Sequence, residues 1–137
     1  MRKITKLIVH CSATRQGLNV TPEQIDSWHR KRGFRCIGYH YVITIDGTVH
    51  TGRPVNQIGA HCKGQNFESI GICYVGGIGA DGKPADTRTE AQRHALAGLI
   101  KELKAKHPLA TIHGHNEFAN KACPCFSVKT DPDLCAI

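Results

Sequence analysis

A chain of 137 residues, 40% apolar and 21% charged, has the size and balance of one folded globular domain, which excludes a disordered chain. No run approaches the roughly 20 apolar residues that a membrane helix needs. A formal charge of +7 points to an anionic partner, for which nucleic acid and the bacterial envelope both qualify.

The N-terminus Met1-Arg2-Lys3-Ile4-Thr5-Lys6-Leu7-Ile8-Val9 is basic and then apolar, as in a signal peptide, but His10 interrupts the apolar run after three residues. Residues 3–10 are therefore predicted to be a buried strand, and the chain is expected to be made in the cytoplasm without a signal peptide. Thr21-Pro22-Glu23-Gln24 predicts a helix start: Thr caps, Pro takes the first helical position and Gln reaches back to the cap. That helix runs to about Arg32 and stops at Gly33. Trp28 and His29 on it are expected to pack against a sheet, with a place in a groove wall as the other reading.

Residues 39–45 and 48–51 flank Asp46-Gly47, and Asp-Gly between two β-prone runs predicts a hairpin. Residues 69–75 form another apolar strand, closed by Gly76-Gly77. Thr89-Glu90-Ala91-Gln92 repeats the capping pattern and opens the longest helix, whose apolar face is Ala91, Ala95, Leu96, Leu99, Ile100 and Leu103. Pro108 ends it, residues 109–113 form a last short strand, and the rest is loop. Strand, helix, hairpin, strand, helix, strand in that order predicts an α/β fold. We expect a central mixed β-sheet flanked by helices, as a single domain over residues 1–137.

Seven cysteines and nine histidines are the unusual totals. An odd cysteine count in a chain of cytoplasmic character argues against a disulfide framework. Cys36, Cys62 and Cys73 are expected to be small buried hydrophobes, and Cys11 and Cys135 carry no signal. The informative segment is Ile112-His113-Gly114-His115-Asn116-Glu117-Phe118-Ala119-Asn120-Lys121-Ala122-Cys123-Pro124-Cys125-Phe126. It places imidazoles and thiols at the end of a strand and in the loop beyond. Neutral imidazole and thiolate are preferred zinc ligands, and a catalytic zinc keeps three protein ligands and an open position. His10, at another strand end, can complete such a set. Spacing does not choose between His113 and His115, nor between Cys123 and Cys125.

Several motifs also occur together in order. Ile8-Val9-His10-Cys11-Ser12-Ala13-Thr14 resembles the opening strand of the type-2 N-acetylmuramoyl-L-alanine amidases. Gly38-Tyr39-His40-Tyr41, Asp46-Gly47-Thr48, Gly59-Ala60-His61-Cys62-Lys63-Gly64 and Ser69-Ile70-Gly71-Ile72 resemble their next motifs. The segment from His115 to Pro124 is similar to their closing metal loop. The likeness spans nearly the whole chain and is nearest to small phage amidases, with animal peptidoglycan recognition proteins as more distant relatives.

The resemblance implies that His10, His115 and Cys123 bind one Zn2+ per chain, with Tyr39 and Lys121 assisting catalysis. His61 and Asn66 fall in the motif that lines the substrate groove. It implies attack by zinc-bound water on the lactyl carbonyl of N-acetylmuramic acid, where the amide to L-alanine begins. By the same resemblance, zinc and Lys121 are expected to hold the oxyanion and Tyr39 to orient the water or relay a proton. The expected partner is bacterial peptidoglycan and its muropeptides, reached after lysis or through a membrane-permeabilising partner, and the expected state is a monomer. His113 is expected to support the fold or to orient a metal ligand. Cys125 stands where the phage relatives carry a small polar residue, so it is a competing ligand or an oxidation partner for Cys123.

Two other functions on the same fold are a peptidoglycan-binding module without catalysis and a regulator of a phage-type polymerase. Cys123, Tyr39 and Lys121 weigh against the first, and no motif carries the second. Nucleic-acid binding is not expected, because the basic residues form no stripe and lack interleaved aromatics.

Overall fold

The computed structural model describes residues 2–137, so Met1, the first residue of the expected domain, lies outside the described residues. The elements are β1 (Lys6–Cys11), β2 (Thr14–Arg15), α1 (Pro22–Lys31), β3 (Tyr41–Ile43), β4 (Val49–Thr51), β5 (Ser69–Tyr74), β6 (Gly77–Ile78), α2 (Glu90–Lys106) and β7 (Thr111–Gly114). Five strands form one sheet in the order β4-β3-β5-β1-β7. β3 and β4 pair antiparallel as the hairpin around Asp46-Gly47, and every other pairing in that sheet is parallel. The fold is α/β with a mixed sheet, as the order of elements predicts. No helix among the described residues is long and apolar enough to cross a membrane.

Both helix starts follow from local sequence. The Thr21 and Thr89 hydroxyls accept from the backbone N–H groups of Gln24 and Gln92, whose side chains accept in return from the cap residues' own N–H groups. Strand ends depart from the sequence reading. The run 39–45 is a strand only over Tyr41–Ile43, because the Thr44 hydroxyl turns to donate to the Asp46 carboxylate at 2.7 Å and joins the hairpin turn. The last strand begins at Thr111 rather than at 109, because the chain is still turning there, with the Ala110 N–H bonded to the His107 carbonyl. The two-residue parallel pair of β2 and β6 was not anticipated, since segments so short carry no periodicity.

Alternation along the strands sorts the side chains between two faces. Leu7 and Val9 of β1, with Ile70, Ile72 and Tyr74 of β5, pack against Leu96, Leu99, Ile100 and Leu103 of α2. Val42 and Val75 pack on the other side with Ile25 of α1, Val20 and Ile37. Each such fully buried aliphatic side chain contributes about 1.5–3 kcal/mol. Gln92 is wholly buried in α2, and its amide donates to the carbonyls of Ile43 and Val75, fastening the helix across the ends of β3 and β5. The two residues expected to pack from α1 diverge: His29 is buried, whereas Trp28 is 41% exposed on the flank of the helix. Cys62 and Cys73 are buried as expected, while Cys36 is only half-buried.

Candidate metal centre and groove

β1 and β7 are parallel neighbours, with Val9 opposite Gly114. The next residue on each is a histidine, so the sheet brings His10 and His115 together at the carboxyl ends of adjacent strands. Ligand sites in parallel sheets form at such ends. The two Nδ1 atoms lie 3.2 Å apart. The Cys123 Sγ approaches the His10 Nδ1 to 4.0 Å, and the donor atoms of all three residues fall within 4.8 Å of one another. A tetrahedral zinc with the usual bond lengths requires roughly 3.3 Å between two nitrogens and roughly 3.6 Å between nitrogen and sulfur. The donor types and separations therefore fit such an ion.

The Cys123 loop is held from several sides. The Cys11 N–H donates to the Cys123 Sγ at 3.2 Å. The buried Tyr74 hydroxyl donates to the Pro124 carbonyl at 2.7 Å. Beyond it, Arg88 stacks over the Phe126 ring at 3.5 Å and pairs with Asp86 and Asp131 at 2.9 and 2.7 Å. Cys125 takes a left-handed backbone conformation, φ 71°, that turns its side chain away from the histidines. Its thiol donates to the Gly77 carbonyl at 3.3 Å and lies 3.8 Å from the Cys11 Sγ. Of the two thiols that spacing leaves equivalent, only that of Cys123 joins the histidine pair. Likewise His113 stays out of the group, bonded to Glu117 at 2.8 Å and to the Thr111 hydroxyl at 2.6 Å. His113 ties the strand end to Glu117 and Thr111.

Burial keeps the imidazoles neutral. His10 is pushed far below the ordinary histidine range by burial and then by neighbouring His61 and His115. His115 is lowered by burial and by the Lys121 charge. Tyr39 lies with its ring 5.2 Å from that of His10, and burial raises its phenol well above the usual value, reinforced by the neighbouring thiols of Cys73 and Cys123. The phenol is therefore a proton-bearing donor at neutral pH.

Against His115 opens a groove of about 680 Å³, lined by His29, Arg32, Phe34, Tyr39, Ala60, His61, Cys62, Lys63, Gly64, Asn66, His115, Phe118, Ala119 and Lys121. That size suits a small organic ligand or a short peptide. The lining contains Arg32, Lys63 and Lys121 and no carboxylate. Tyr39, Lys121, His61 and Asn66, all expected at the site, are thus brought to one groove. Two of them have further duties. The Asn66 Oδ1 accepts from the backbone N–H groups of His61 and Cys62, both at 2.9 Å, and so shapes the loop that carries His61. The His61 Nδ1 lies 2.8 Å from the His10 Nε2, and its Nε2 lies 3.2 Å from the Ser69 Oγ. Ser69 was not singled out from sequence, nor was Tyr74, because each acts through a side-chain contact that no periodic pattern marks, Ser69 with His61 and Tyr74 with the distant Pro124.

A mixed α/β sheet with a His, His, Cys group able to bind a metal beside a cationic groove defines the class of protein. The family model for N-acetylmuramoyl-L-alanine amidase matches residues 1–132. The chain is 42% identical over 128 residues to the endolysin of Klebsiella phage KP32, covering 93% of this chain and 85% of that protein. It is 45% identical over 123 residues to the endolysin of Escherichia phage T7, covering 90% and 82%. Among solved structures it resembles the N-acetylmuramoyl-L-alanine amidase LysC from Clostridium intestinale, at TM-score 0.79 and 30% identity over 90% of this chain and 77% of that one. It also resembles Drosophila PGRP-LB, at TM-score 0.79 and 25% identity over 98% and 84%. The chain belongs to the N-acetylmuramoyl-L-alanine amidase family and is an amide hydrolase in class.

Proposed function

We propose that this amidase is zinc-dependent and hydrolyses the bond between the lactyl group of N-acetylmuramic acid and L-alanine, with residues 1–137 acting as one catalytic domain. The observation that carries the reading is the convergence of His10, His115 and Cys123, their donor atoms within 4.8 Å of one another, beside a groove lined by His115, Tyr39 and Lys121. One zinc held there supplies Lewis acidity and lowers the pKa of a coordinated water towards about 7.

The chain's own groups do the rest. The Lys121 ammonium faces the groove and stabilises negative charge as it develops on the carbonyl oxygen. The Tyr39 phenol, kept protonated by burial, donates a hydrogen bond that orients the attacking water or the carbonyl. Asn66 and His61 shape the wall against which the peptide lies. Arg32 and Lys63 face the stem peptide, which carries free carboxylates. Hydrolysis adds water across the amide, leaving a lactyl carboxylate and the free amine of L-alanine. The substrate lies in the cell wall, so the enzyme meets it after lysis or through a partner that permeabilises the membrane.

The experiment pairs zinc content with mass spectrometry of muropeptide digests for the wild type and Cys123→Ser. Near-stoichiometric zinc with release of peptides that begin at L-alanine, both lost in the variant, supports the reading. Zinc without cleavage moves the function to binding, and cleavage by a zinc-free variant overturns the metal's role.

A further inference from the structure

We propose that His61, held by Ser69, is a positioning residue that fixes His10 as an Nδ1 metal ligand, rather than a group that hydrogen-bonds substrate. This rests on the zinc reading above.

His10 presents its Nδ1 to His115 and Cys123, at 3.2 and 4.0 Å, and its Nε2 to the His61 Nδ1 at 2.8 Å. A nitrogen that binds a metal carries no proton, so a neutral His10 ligating through Nδ1 keeps its proton on Nε2. That proton points at the His61 Nδ1, which must accept. His61 then carries its own proton on Nε2, which faces the Ser69 Oγ at 3.2 Å. Ser69 is wholly buried at the start of β5 and gives that proton a fixed acceptor. Metal, His10, His61 and Ser69 form one chain with a single polarity, and both ring nitrogens of His61 are engaged inside the protein.

The ring is also confined sterically. A Cβ on Gly71 would lie 2.5 Å from the His61 Cγ, so only glycine at that position leaves room for the imidazole. The His61 and His10 rings meet edge-on, at 90° and 4.9 Å between centroids. The His61 backbone is pinned by Asn66. Metal-binding histidines are commonly oriented by a hydrogen bond at their far nitrogen. Here the acceptor is a second neutral imidazole, so the contact sets tautomer and ring angle without adding charge.

The test measures zinc affinity by chelator competition for the wild type, His61→Leu, His61→Asn and Ser69→Ala. Melting of the metal-free proteins checks folding. His61→Leu is expected to weaken zinc binding about 10–100-fold. Asn, whose Oδ1 can accept where Nδ1 stood, is expected to restore most of it. Should the leucine variant not fold, His61→Asn and Ser69→Ala still report, with the serine variant expected to weaken zinc by a few-fold. Nitrogen-15 spectra of the zinc-loaded wild type are expected to show a protonated His10 Nε2 in slow exchange. Unchanged zinc affinity in His61→Leu with only KM raised would overturn the proposal and leave the zinc reading intact. A wild type that binds no zinc overturns the zinc reading and the proposal together.

Discussion

His10 and His115 stand 105 positions apart in sequence, yet their Nδ1 atoms lie 3.2 Å from each other with no carboxylate between them. Two neutral imidazoles that face lone pair to lone pair gain nothing unless one of them donates or a cation lies between. The nearby Cys123 Sγ makes the cation the better account, since a thiol adds a third soft donor to the same point.

That geometry separates the two thiols of the closing loop. Cys125→Ser is expected to keep one zinc per chain, because its side chain faces Gly77 and Cys11 and not the histidines. Cys123→Ser is expected to lose the metal. Metal analysis of both purified variants after dialysis decides the matter, and loss of zinc in Cys125→Ser would assign the ligand wrongly.

What was legible in the sequence was local. Thr21 with Gln24 and Thr89 with Gln92 signal their helices within four residues, and Asp46-Gly47 signals its hairpin. The alternation of β1 sends Leu7 and Val9 to the α2 face, but it does not say which strand lies beside β1. That depends on the parallel register of Val9 with Gly114, a pairing no local pattern encodes. The choice of His115 and Cys123 therefore rests on the family resemblance, and the structure brings both beside His10. His61, Ser69 and Tyr74 owe their roles to contacts across 51, 8 and 50 positions, and composition and periodicity are blind to these.

Tyr74 offers a test of the loop from behind. Its hydroxyl is buried and donates to the Pro124 carbonyl, the residue next to Cys123. Tyr74→Phe leaves that carbonyl unpaired at a cost of about 1–3 kcal/mol. Lower stability in denaturant melts is expected, together with faster zinc loss to a chelator, because the ligand loop loses its anchor. A variant that melts lower but releases zinc at the wild-type rate would confine Tyr74 to the core.

The cationic wall of the groove predicts a preference among substrates. Arg32 and Lys63 are solvent-exposed, so each contributes modestly, about 0.2–1 kcal/mol. Arg32→Gln or Lys63→Gln is expected to raise KM by a few-fold for muropeptides with free stem carboxylates, with kcat little changed. Muropeptides whose carboxylates are amidated are expected to show no such change, and added salt is expected to narrow the difference. Equal effects on both substrate forms would remove charge recognition from the groove.

Stability is expected to fall with acid before any carboxylate titrates, because the fold buries neutral histidines. The His40 Nδ1 accepts from the Gly71 N–H at 3.0 Å and its Nε2 donates to the Gln57 carbonyl at 2.8 Å. Burial pushes it down to about 4. His29 accepts from the Gly38 N–H at 2.9 Å and is lowered in the same direction, by burial and by Arg32 and Arg53. An unfolded histidine takes up its proton near pH 6.5, so between about 6.5 and 4 the unfolded chain binds a proton that folded His40 refuses. The sign is therefore a loss of stability as pH falls through that window, approaching about 1.4 kcal/mol per pH unit for each such histidine. Urea unfolding of the metal-free protein at pH 7.5, 6 and 5 measures it, and His40→Asn is expected to make the dependence shallower by up to one proton. A midpoint that stays level from pH 7.5 to 5 would show that these histidines titrate as freely in the folded chain as in the unfolded one.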